Sequence, residues 1–97
     1  MMEKFMIAAF RSRLQVMAFE RTLKAAGVKA GVVTTPRAVA LGCGLSVRFE
    51  CADLERVRTL LRGAPMNNLI GLYGVSRDDI GRVVVRPVHS QPGRGAF

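Results

Sequence analysis

Lys4-Phe5-Met6-Ile7-Ala8-Ala9-Phe10-Arg11-Ser12-Arg13-Leu14-Gln15 is the stretch from which the fold is read. Its first seven residues are a short, apolar run, which predicts a buried strand. Ser12 then offers a helix N-cap, and Gln15, three residues later, completes a capping-box pattern. A strand that passes at once into a helix is the first half of a β-α-β unit.

Outward from that junction, Leu14, Met17, Ala18, Phe19, Leu23 and Ala26 give the helix a broad apolar face, and Glu20 and Lys24 stand at i,i+4 for an ion pair. Gly27 ends it as a C′ residue. Residues 28–34 read as a second strand. Residues 45–51, Leu-Ser-Val-Arg-Phe-Glu-Cys, alternate between apolar and polar, which points Leu45, Val47, Phe49 and Cys51 at the core. Asp53 caps a second helix through Arg62, with Leu54, Val57, Leu60 and Leu61 on its inner side and Gly63 and Pro65 closing it. Residues 69–75 form a fourth strand weakened by Gly71 and Gly74, followed by the turn Ser76-Arg77-Asp78-Asp79. Residues 82–88 make an added edge strand limited by Pro87, and residues 89–97 a mobile tail. The order β-α-β-β-α-β predicts an α+β, ferredoxin-like two-layer sandwich over residues 1–76, with a C-terminal extension over 77–97.

At 97 residues and 10.6 kDa, with 49% hydrophobic content, the chain suits a single small core. Its uncharged runs fall short of the roughly 20 residues that span a bilayer, and its start lacks a signal-peptide pattern, so a soluble cytoplasmic protein is expected. Fifteen Lys+Arg against seven Asp+Glu give a net charge of +8, which favours acidic partners: nucleic acid, an anionic protein surface or a phosphorylated small molecule. The cations form no run, and one Tyr with no Trp gives no aromatic ladder for stacking bases, so nucleic acid stays open as the lesser alternative. Two cysteines and one histidine do not make a disulfide scaffold or a zinc site, and no metal or cofactor is expected. If residues 45–51 form a strand, Cys51 lies about 20 Å beyond the loop that holds Cys43, whereas bridged Cα atoms sit within about 7 Å.

That loop, Thr35-Pro36-Arg37-Ala38-Val39-Ala40-Leu41-Gly42-Cys43-Gly44, carries the chemistry. Gly42 and Gly44 free Cys43 from the packing that makes most cysteines inert, and Pro36 shapes the entry. In a ferredoxin-like sandwich the loop lies at the same sheet edge as Arg11, Ser12 and Arg13. The helix N-terminus and the guanidinium groups of Arg37, Arg11 and Arg13 would favour a thiolate. Such a thiolate attacks a sulfane or selane sulfur, holds it as a persulfide or selenopersulfide, and passes it to an acceptor thiol. His89 lies beyond Pro87 beside the tail, poorly placed for a fixed Cys-His pair. Asp78 and Asp79 read as solvated turn formers, and no phosphate loop or dinucleotide fingerprint occurs.

The loop and its flanks resemble the family of small bacterial proteins called putative selenium/sulfur carrier-like. The shared features are the early strand ending at Phe10, the helix carrying Ala18, Glu20, Leu23 and Lys24 up to Gly27, and Thr35-Pro36-Arg37 followed by Gly42-Cys43-Gly44. The similarity spans roughly residues 5–61. Family members usually have a serine between the arginine and the cysteine; this chain has Ala38, Val39, Ala40 and Leu41 there. The resemblance implies a carrier rather than an enzyme, with Cys43 receiving sulfur or selenium from a donor such as a cysteine desulfurase and delivering it to an acceptor protein. The alternative is a non-catalytic ligand- or RNA-binding ferredoxin-like module. The apolar Val83-Val84-Val85 on an exposed edge suits pairing into a homodimer.

Overall fold

The computed structural model describes residues 4–37, 39, 44–62 and 69–88. Five antiparallel strands, β1 (Lys4–Phe10), β2 (Ala30–Thr34), β3 (Leu45–Phe49), β4 (Leu69–Arg77) and β5 (Val83–Val88), lie in the order β2-β3-β1-β4-β5. Helix α1 (Arg13–Ala25) joins β1 to β2, and a 3₁₀ turn (Cys51–Asp53) leads from β3 into α2 (Leu54–Arg62). The architecture is α+β, and the order of the first four strands is compatible with a ferredoxin-like sandwich, to which β5 adds a fifth strand.

β1 is central because it is apolar on both faces. Met6, Ala8 and Phe10 point to the helices and join Val16, Phe19 and Leu23 of α1, Val47 and Phe49 of β3, and Val57 and Leu61 of α2 in one core. The rings of Phe10 and Phe19 stand 5.6 Å apart and tilted at 56°. Ile7 and Ala9 point the other way and are just as buried, at 0% and 1% exposed. An unalternating run such as Met-Ile-Ala-Ala-Phe is what a strand covered on both sides requires.

Ser12 caps α1 as expected, its Oγ accepting from the Gln15 N–H at 3.4 Å. The box is only half formed, because Gln15 Oε1 is buried without a hydrogen-bond partner among the described residues. At the other end Gly27 adopts φ +83°. Its N–H donates to the Lys24 carbonyl at 3.0 Å and that of Val28 to the Leu23 carbonyl at 2.9 Å, a Schellman closure. Glu20 and Lys24 pair at 3.2 Å.

The apolar face of α1 differs from the expected one. Val16, Phe19 and Leu23 are buried, whereas Leu14 is 81% and Met17 39% exposed and Ala18 lies at the surface. At about 100° per residue, Leu14 and Ala18 fall on the side of the helix opposite the Val16 stripe; an apolar set broader than the buried one masked which side faces the sheet.

Cys51 is a second correction. The alternation of β3 ends at Phe49, which pairs with Met6 and Ala30. The Asp53 N–H then turns back to the Glu50 carbonyl at 3.0 Å, so Cys51 starts a turn and is exposed. Asp53 closes that turn immediately before α2.

β4 is the longest strand despite Gly71 and Gly74, for it pairs with β1 on one side and β5 on the other. Ser76 and Arg77 belong to it, so the expected turn begins only at Asp78. Asp78 Oδ1 accepts from the Ile80 and Arg82 N–H groups at 3.1 and 2.8 Å, while Gly81 takes φ +85°. Gly63, Pro65, His89 and the expected tail lie outside the described residues.

The reassigned face of α1 makes a direct prediction. Val16→Ala should cost about 2 kcal/mol, a deletion from a filled core, whereas Leu14→Ala should change stability by less than about 0.5 kcal/mol. Urea unfolding of the two variants checks it; equal costs would return Leu14 to the core.

Candidate functional site

Strand register gathers one group of chain segments at one end of the sheet. Phe10 of β1 pairs with Leu69 of β4, and Thr34 of β2 with Leu45 of β3. The end of β1, the start of α1 and both ends of the loop over residues 35–44 therefore share that end. The residues from Phe49 to Asp53 lie at the other, since Phe49 pairs with Met6 near the start of β1.

The neck of the loop is closed twice. The Thr35 N–H donates to the Gly44 carbonyl at 2.9 Å, and the Thr35 and Ser46 hydroxyls meet at 2.6 Å, with Ser46 fully buried. Gly44 has φ +87°, a conformation other residues adopt only at a cost in strain. Further in, the Val39 N–H donates to the Pro36 carbonyl at 2.9 Å, making a turn that carries the exposed Arg37. Val39 itself is 7% exposed, so this side of the loop is held down against the body. Pro36 lines a groove of about 220 Å³ with Phe5, Val75, Ser76, Arg77 and Val83. Cys43, with Gly42 and Ala38, Ala40 and Leu41, lies outside the described residues.

Of the other residues singled out in the sequence, Arg11 and Arg13 are exposed on either side of the capping Ser12. Among the described residues Arg11, Arg13 and Arg37 form no ion pair, while the acids that do pair serve Lys24, Arg58 and Arg82 elsewhere. The first turn of α1 contains no acidic residue, so its positive helix end is left without a negative side chain. Electrostatically, the N-terminus of α1 between Arg11 and Arg13 favours an anion.

The helix-free face of the sheet is buried at its centre. Besides Ile7 and Ala9, Ser46 on that face is buried, and the Arg48 guanidinium sits 4.0 Å from the centre of the Phe5 ring. Among the described residues no three His, Cys, Asp or Glu side chains come together as a metal site, and no helix is long and apolar enough to cross a membrane.

Residues 5–69, more than half of the chain, match the family described as "Putative Se/S carrier protein-like". The chain belongs to that family. The matched span runs from β1 through the loop and α2 to the first residue of β4, leaving β5 outside the part that defines the carrier-like family. No curated protein and no solved structure matches the chain significantly.

The hydroxyl pair at the neck gives a test of loop closure. Ser46→Ala leaves the Thr35 hydroxyl without its partner and should cost about 1 kcal/mol, and combining it with Thr35→Val should add little more. A double-mutant cycle in urea reads the coupling; additive costs would mean that the two hydroxyls do not act together.

Proposed function

We propose that the protein carries sulfur or selenium on Cys43, passing it between a donor protein and an acceptor protein. Membership in the carrier-like family over a span that contains the whole 35–44 loop is the observation that carries this reading. The closed neck, the left-handed Gly44 beside Cys43, and Arg11, Arg13 and Arg37, which form no ion pair among the described residues, support it, because a carrier thiol needs a presented position and a setting that favours the thiolate.

The chemistry is a pair of exchanges. The Cys43 thiolate attacks the terminal sulfur of a persulfide on the donor, such as a cysteine desulfurase; the donor's S–S bond breaks and its cysteine leaves as a thiolate. Cys43 then holds the transferred atom as its own persulfide, or as a selenopersulfide when the cargo is selenium. An acceptor thiolate attacks that outer atom and releases Cys43 in the reverse sense. Arg37, on the turn after Pro36, and Arg11 and Arg13 beside Ser12 stabilise the anion, while Gly42 and Gly44 leave room for the partner's docking. No cofactor enters these steps.

In this reading the unit is a ferredoxin-like carrier domain over residues 1–76, acting in the cytoplasm, with 77–97 as an extension. The extension's β5 carries Val83, 51% exposed, on the sheet edge, and a second copy would pair there to form a homodimer. The alternative of a ligand- or RNA-binding module has less support. Sheet modules of that kind offer side chains on the helix-free face, and here Ile7, Ala9 and Ser46 on that face are buried.

Incubation with a cysteine desulfurase and cysteine, followed by peptide mass spectrometry, tests the proposal. The Cys43 peptide should gain one sulfur, about 32 Da, and Cys43→Ser should abolish the gain while Cys51→Ser keeps it. Arg37→Gln should slow loading by roughly threefold to tenfold. Undiminished loading of the Cys43→Ser protein would overturn the assignment.

A further inference from the structure

The exposed Cys51 lies in a cleft at the end of the sheet where β1 begins. Lys4 and Phe5 of β1, Gly74, Val75 and Ser76 of β4, Arg86 of β5 and Cys51 line it, enclosing about 330 Å³, the lower end of the range for small-molecule sites. Register explains the grouping: Lys4 pairs with Ser76 and Gly74 with Arg86, so the two cations rise from strands on opposite sides of β4 and share one face with Gly74, which adds no side chain between them. Among the described residues neither the Lys4 nor the Arg86 side chain has a hydrogen bond or an ion pair, and no acidic side chain lines the cleft. Ser76, on the same face as Lys4 and Gly74, supplies a hydroxyl.

We propose that this cleft binds small anionic disulfides, of the kind that carry carboxylates beside an S–S bond, and brings them to Cys51 for thiol–disulfide exchange. The two cations hold the carboxylates, the side-chain-free Gly74 between them leaves room for the carbon skeleton, and Cys51 lines the same cleft. In the exchange the Cys51 thiol gives its proton to solvent and its sulfur attacks one sulfur of the disulfide. The S–S bond of the ligand breaks, a mixed disulfide forms on Cys51, and the other half leaves as a thiolate, so the ligand is the oxidant and nothing else is consumed. The cations act by raising the local concentration and fixing the orientation of an anionic reagent, which is a binding effect. The site is independent of Cys43, and its failure or success leaves the carrier reading as it stands.

The test uses the full chain carrying Cys43→Ser, in which Cys51 is the sole thiol. Its rate of reaction is measured with dithiobis(nitrobenzoate), a dianionic disulfide, and with dithiodipyridine, a neutral one. Lys4→Gln combined with Arg86→Gln should lower the rate with the dianion by about tenfold and leave the neutral reagent within about twofold, and added salt should erase the difference. Lys4→Arg with Arg86→Lys should retain the preference. Equal change toward both reagents, or none toward the dianion, would overturn the proposal; circular dichroism of each variant separates either result from loss of fold.

Discussion

Burial of β1 on both faces is the constraint from which the rest of the structure follows. Its helix-facing residues Met6, Ala8 and Phe10 need both helices above them, and Ile7 and Ala9 need cover on the opposite face. The first demand fixes α1 over β2 and β3, because its stripe of Val16, Phe19 and Leu23 must meet Phe10 and Val47. The second cannot be met by helices, for both are already on the other side. A small antiparallel sheet of this kind usually leaves one face to solvent; here that face carries the Arg48–Phe5 stack and buried Ser46, and the neck of the 35–44 loop is bonded to Ser46. Fixing the loop is thus part of completing the core.

Loop closure and site geometry are consequently one problem. Thr35 and Gly44 are held together by a backbone hydrogen bond, and Ser46 secures Thr35 from within the sheet. The cost of bringing the two ends of the loop together is thus met in the folded state by contacts at its neck.

Where local pattern and tertiary role coincide, the sequence is informative: the Ser12 cap, the Gly27 closure, the Glu20–Lys24 pair and the span of α2 are all set by residues within one turn of one another. The family, too, was legible from the Thr35-Pro36-Arg37 and Gly42-Cys43-Gly44 motifs. Errors arose where a pattern extended past its structural cause. Leu14, Met17 and Ala18 fit an apolar helix face, yet only the stripe through Val16 meets the sheet; Cys51 continues the alternation of β3, yet no partner strand continues with it. The cleft beside Cys51 joins Lys4 to Arg86 across more than eighty positions of sequence, and only register brings them onto one face. No short-range signal contains that information.

An excess of unpaired cations is forced on this chain, since seven acids cannot serve fifteen bases. Their number therefore says little, and their placement says more. Arg11 and Arg13 flank the N-terminus of α1, the helix end where a negative side chain stabilises by about 0.3–1 kcal/mol and a positive one does the opposite. The same two charges at the C-terminal end would have helped the helix, as Lys24 does. An anion held at this end reverses the sign of the interaction: each guanidinium that opposes the helix dipole in the free protein attracts the anion together with that dipole. In the proposed carrier reading, a thiolate on Cys43 or a negatively charged partner surface is such an anion. The local cost in stability is thus converted into differential affinity for an anionic state at this helix end.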